Sequence, residues 1–147
     1  MTQATGAAHP GVADALVRVS HVVDRAFTEV ARRHELTPQQ THLLCHLAQG
    51  PVGMGDLGRL LDLEKSSLTG LIDRVERRGL AERVRDDRDR RACRIALTEE
   101  GRRLSRLTHR EVNERLDGLV ASLGPEEQST LNAVAQRLLT ESGATPS

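Results

Sequence analysis

Residues 65–97 restrict the fold more than any other stretch of the chain. Leu68, Leu71, Ile72 and Val75 stand at i, i+3, i+4 and i+7, which is one apolar face of a single helix. The opposite face carries Ser66, Gly70, Asp73 and Arg77, flanked by Ser67, Thr69 and Arg74. Gly79 follows where a helix ends best in a left-handed residue. Two short runs come next, at 80–85 and 92–97. In the second, Cys93, Ile95 and Leu97 alternate with Arg94 and Ala96, the period of a strand. The connection 86–91 is charged at every position, so a hairpin with its tip in solvent is expected.

The flanking segments read as helices. Phe27 is the only aromatic side chain, so the core must be Leu, Val, Ile and Ala. That points to packed helices rather than an aromatic-rich sandwich. Val12, Leu16, Val19, Val23, Phe27 and Val30 mark a helix from residue 12 to about His34. Its stripe is longer than a small core needs, which leaves half of it for a second subunit. Thr37, Pro38 and Gln40 have the order of a capping box with proline at the first helical position. That helix carries Leu43, Leu44 and Leu47. A short helix with Met54, Leu57, Leu60 and Leu61 and a turn at 62–64 lead into the helix at Lys65. Thr98 with Glu99 and Glu100 caps a long helix, where acids favour the positive end of the dipole. Gly124 and Pro125 break it and open a last helix with Leu131, Val134, Ala135 and Leu138.

The chain has 147 residues and no net charge. The neutral total hides an uneven distribution. From residue 65 to residue 94 there are 10 basic and 6 acidic side chains, a local charge of +4. A basic stretch of this kind is the electrostatic footprint of a nucleic-acid surface. No apolar run of 18 residues is present, so no membrane span or membrane partner is expected. Residues 1–11 show no basic start followed by an apolar stretch, and Cys45 and Cys93 are too few for a disulfide framework. The cytoplasm, in association with the nucleoid, is the expected location.

Together these segments resemble the MarR family of winged helix-turn-helix regulators. The match runs through Leu57-Gly58-Arg59-Leu60-Leu61, then Lys65-Ser66-Ser67-Leu68-Thr69-Gly70-Leu71-Ile72-Asp73-Arg74-Val75-Glu76-Arg77-Arg78-Gly79-Leu80. It continues through Asp86-Asp87-Arg88-Asp89-Arg90-Arg91 to Ala96-Leu97-Thr98-Glu99-Glu100-Gly101. The implied fold class is mainly α with a small β-hairpin wing, flanked by long dimerisation helices. The implied division is a tail at 1–11, a dimerisation helix at 12–36, a DNA-binding module at 37–98, dimerisation helices at 99–142 and a tail at 143–147.

The resemblance implies a ligand-responsive transcriptional regulator, a repressor or an activator according to where its site lies, that binds double-stranded DNA as a homodimer at a palindrome, with half-sites roughly 10 bp apart. The helix 65–78 would enter the major groove with Lys65, Ser66, Ser67, Thr69, Gly70, Arg74 and Arg77. Arg88 and Arg90 would reach a minor groove. Arg91 would pair with Asp73 and brace the wing. Many members carry a long side chain where this chain has Gly70. Its absence moves base readout toward Lys65, Ser66, Ser67 and Thr69. The two serines suit capping as well as DNA contact.

Other chemistries find little footing. His42 and His46 stand at i and i+4 around Cys45, a spacing that can hold a metal, with His109 as a further donor. Position 113 is Asn, so no second histidine pair completes the set. Phe27, His42, Cys45 and His46 read better as walls of an effector cleft. Cys45 lies between leucines, which favours an unreactive thiol. No phosphate loop, nucleophile elbow or Ser/His/Asp constellation occurs, so no enzyme and no cofactor are expected. A winged helix serving only protein contacts would lose the basic, hydroxyl-rich face that this chain keeps.

Overall fold

The computed structural model describes residues 11–89 and 92–143. Helix α1, Val12–Arg33, is followed by α2, Pro38–Leu47, the two-residue strand β1, Val52–Gly53, and α3, Met54–Leu61. Then come α4, Lys65–Arg77, the strands β2, Ala81–Arg85, and β3, Cys93–Leu97, and the helices α5, Glu99–Val120, and α6, Pro125–Glu141. The architecture is mainly α with a small antiparallel sheet.

Local chemistry sets the boundaries. The Thr37 hydroxyl accepts from the Gln40 N–H at 3.1 Å, and the Gln40 side chain accepts from the Thr37 N–H at 3.0 Å. This is the reciprocal cap expected of that spacing, and it satisfies two backbone donors at the start of α2. Thr98 caps α5 by accepting from the Gly101 N–H at 3.0 Å. The turn between α3 and α4 closes on Asp62, whose φ of 52° is left-handed.

The sheet has three strands in the order β1-β3-β2, so β3 is central. Val52 pairs with Ile95 on one side, and Ala81 through Arg85 pair with Leu97 through Cys93 on the other. The hairpin expected from sequence thus has a third strand beside it. Ile95, in the middle strand, is fully buried.

One apolar core joins α2, α3, α4 and the sheet. Leu43, Leu44, Leu57, Leu71, Ile72, Val75 and Ile95 are at most 1% exposed. The four apolar residues of α4 read from sequence are its four buried residues. Gly101 packs α5 onto this core. A Cβ there would lie 1.8 Å from the Leu80 carbonyl oxygen, so only glycine permits the approach. The terminal helices differ. α6 buries none of its residues, and Leu131, Val134, Leu138 and Leu139 lie exposed on it. Val12, Leu16, Val19 and Val22 of α1 are exposed in the same way.

Candidate nucleic-acid interface

Helix α4 lies after the α3 turn with one face in the core and the other in solvent. Its first residue follows Glu64, whose side chain makes no cap hydrogen bond. Ser66 and Ser67 therefore stand inside the first turn and are not N-caps. Both are exposed, as are Lys65, Arg74 and Arg77, while Thr69 and Gly70 are half-buried. The Thr69 hydroxyl donates to the Lys65 carbonyl at 2.8 Å. Arg77 Nε donates to the Asp73 carbonyl at 3.4 Å. A Cβ on Gly70 would stand 3.6 Å from Arg74 Nη1, so the Arg74 guanidinium lies over the position where Gly70 has no side chain.

Among the described residues, it is Arg83 that fastens the hairpin to this helix. Arg83 of β2 donates to Asp73 at 2.8 Å and to Glu76 at 2.5 Å, both on α4. The hydrogen bond to Asp73, reinforced by the charge of Glu76, raises the Arg83 pKa. Arg83 thereby binds both carboxylates and offsets one of their two negative charges. The expected partner of Asp73, Arg91, lies outside the described residues, as does Arg90. Arg88 is exposed near the tip, where its backbone N–H donates to the Asp86 carboxylate at 3.0 Å. Arg94 donates to the Pro51 carbonyl at 2.6 Å and ties β3 to the segment before β1.

The far end of α4 is fastened too. Arg78, one residue past the helix, donates to the carbonyls of Glu35 at 2.5 Å and His34 at 3.3 Å. Those residues form the turn between α1 and α2, where Glu35 has a φ of 56°. Glu111 of α5 holds the same turn, with its carboxylate 3.1 Å from His34 Nε2 and 3.6 Å from Arg33 Nη1. Neither Arg78 nor Arg83 stands out in the sequence. The partners of Arg78 are 43 and 44 positions away, and nothing in the spacing separates Arg83 from its neighbour Arg85.

Phe27 and His42 meet across α1 and α2 with ring centroids 4.6 Å apart and stacked. Cys45 and His46 stand further along α2, half-buried. Burial pushes the Cys45 thiol pKa up, and burial together with His42 pushes that of His46 down. A cavity of about 240 Å³ lies nearby between α1 and α5, lined by Val22, Ala26, Leu116 and Leu119 and by the Glu29–Arg115 pair. None of the four residues named as effector walls lines that cavity. Among the described residues, no three His, Cys, Asp or Glu side chains cluster as metal ligands. His109 Nε2 is 2.9 Å from the Asn113 amide nitrogen.

An exposed helix in a helix-turn-helix, braced against a charged hairpin, defines a winged DNA-binding module. The MarR family model matches residues 34–92, and the chain belongs to that family of DNA-binding transcriptional regulators. It is similar to the HTH-type transcriptional regulator FarR of Neisseria gonorrhoeae, 28% identical over 91% of this chain and 92% of FarR. It is also similar to PecS of Dickeya dadantii, 30% identical over 84% of this chain and 76% of PecS. Among solved structures, NadR in complex with 4-hydroxyphenylacetate aligns with a TM-score of 0.73 at 28% identity, over 94% of this chain and 96% of NadR. A cysteine-to-serine mutant of Escherichia coli MarR in complex with operator DNA shares the fold, with a TM-score of 0.72 at 23% identity over 88% of this chain and 94% of that one. No described helix is long and apolar enough to cross a membrane.

Proposed function

We propose that this regulator represses transcription by binding a palindromic operator as a homodimer, with α4 in the major groove and the wing in the minor groove. The observation that carries the reading is the joint between α4 and β2. Arg83 fixes the wing to the recognition helix through Asp73 and Glu76, so the two DNA-facing elements act as one rigid unit. Lys65, Ser66, Ser67, Thr69, Gly70, Arg74 and Arg77 form the groove-facing surface, and Arg88 and Arg90 serve the wing. Arg91 adds to the wing bracing. The exposed apolar stripes of α1 and α6 supply the dimer surface.

Two-fold symmetry sets half-sites roughly 10 bp apart. The protein acts in the cytoplasm, on the nucleoid. A small-molecule effector enters between the dimer helices and the module, near Phe27, His42, Cys45 and His46. The 4-hydroxyphenylacetate carried by NadR supports an effector-responsive reading.

A mobility-shift titration against DNA from beside its own gene tests the proposal. Binding in the nanomolar range with a steep salt dependence is expected. Arg88→Ala with Arg90→Ala should weaken binding and lower the salt slope. Unchanged affinity in that double variant removes the wing from the interface.

A further inference from the structure

We infer that Arg74 is the base-reading residue of this protein, contacting a guanine within each half-site, and that Gly70 is what allows it to act there. The inference rests on the operator-binding reading above. Helical side chains lean toward the N-terminus and cover the turn before their own Cα. Arg74 does so, with Nη1 at 3.6 Å from the Cβ position that Gly70 leaves vacant. Its guanidinium thus lies over the middle of the exposed face, one turn nearer the helix start than its own backbone. That lean brings its donors one turn closer to the N-terminal part of the helix, the part that meets base edges.

The charge of Arg74 is also unspent. Its guanidinium makes no hydrogen bond or ion pair with a described residue, and the acids Asp73 and Glu76 are both held by Arg83. The other arginine of the face, Arg77, turns its Nε to its own helix backbone. Of the hydroxyls, Thr69 already gives its proton to Lys65. Lys65, Ser66 and Ser67 are exposed as well, but on this face only Arg74 carries a fork of parallel N–H donors with no bond back to the helix. In the major groove, guanine alone offers two acceptors side by side, O6 and N7. A Cβ at position 70 would only touch this fork at 3.6 Å, whereas a long side chain there would compete with it for the groove. Glycine leaves the path open.

Selection of duplexes from a randomised pool tests this with the full chain, Arg74→Ala, Arg74→Lys and Gly70→Arg. Arg74 is exposed and unpaired among the described residues, so the variants should keep the helical circular dichroism of the parent. The parent should fix a guanine in each half-site. Arg74→Ala and Arg74→Lys should both lose that preference by roughly 5- to 150-fold, with the other fixed positions intact. Lysine is the decisive variant, since it keeps a charge that reaches phosphate and loses the fork. Gly70→Arg, which fills the space of the Arg74 guanidinium, should change the base preferred at the same position. Three results would overturn the inference. One is a parent site without a fixed guanine. Another is full guanine preference in Arg74→Lys. The third is Arg74→Ala binding that falls equally on every sequence, with a salt slope smaller by about one per protomer, which would make Arg74 a phosphate contact. A parent pool that stays random overturns the operator reading itself, and this inference with it.

Discussion

The DNA-binding module and the terminal helices bury apolar surface in opposite ways. In the module, Leu43, Leu57, Leu71, Ile72 and Ile95 close on one another within a single chain. In α6 and the first half of α1, side chains of the same type remain in solvent. Hydrophobic residues are common on surfaces, but a contiguous stripe along two helices is not. The same residue types thus do two jobs. The module closes one core with Ala31 of α1 and Leu104 of α5, whereas α6 and the first half of α1 leave their stripes uncovered. In the proposed dimer the partner chain covers them.

Breaking the second half of the comparison should have the largest effect. Leu131→Asp with Leu138→Asp on α6 should take about 3 kcal/mol or more from dimer association, counting roughly half of 1.5 kcal/mol or more for each half-exposed side chain on both subunits. Analytical ultracentrifugation should then find a monomer whose melting no longer depends on concentration. A dimer of unchanged affinity would assign the α6 stripe to something else.

The glycines of α5 sharpen the contrast inside one helix. Gly101→Ala drives a methyl into the Leu80 carbonyl and should cost about 3 kcal/mol or more, because backbone has to move. Gly118→Ala, with nothing within 4 Å of the new methyl, should stabilise by about 1 kcal/mol. Denaturant titration of the two variants should show shifts of opposite sign.

Arg83→Ala separates bracing from stability. The pairs with Asp73 and Glu76 are partly exposed, so each contributes at most about 1 kcal/mol to folding. Two carboxylates would then face the DNA uncompensated, and affinity should fall about tenfold or more. A variant with parental affinity would show that the wing is held by other means.

The smallest effect concerns pH. Folding depresses the His46 pKa, mainly through burial, so the folded chain takes up its proton less readily than the unfolded one. The stability contribution is complete above the ordinary histidine pKa. It declines as pH falls through that value toward the depressed one. His46→Asn should flatten a plot of melting temperature against pH between about 5 and 7. An identical slope in the variant would place the pH dependence elsewhere.

What the sequence revealed follows the range of the interactions. The α4 face and the Thr37 and Thr98 caps depend on neighbours within four residues, and they were legible. Strand β1 was not, because Val52 and Gly53 are too few to show a period and owe their conformation to pairing with Ile95 and Arg94. The Gly70 of the sequence reads as a missing contact. In the structure it is the space over which Arg74 lies. Arg78 and Arg83 look like every other arginine of the chain, and only folding brings them to their carbonyl and carboxylate partners.

The bonds from Arg78 to the α1–α2 turn have a mechanical consequence. They anchor α4 at its C-terminal end, so a tilt of that helix moves its other end most. Thirteen residues span about 20 Å. A rotation of about 10° at Arg78 would therefore carry Lys65 through about 3.4 Å, the rise of one base step along a DNA strand. Leu68 and Leu71 are buried along the same lever, so a tilt of that size has to carry the module's core with it, and the core is what keeps the reading end in register with its site.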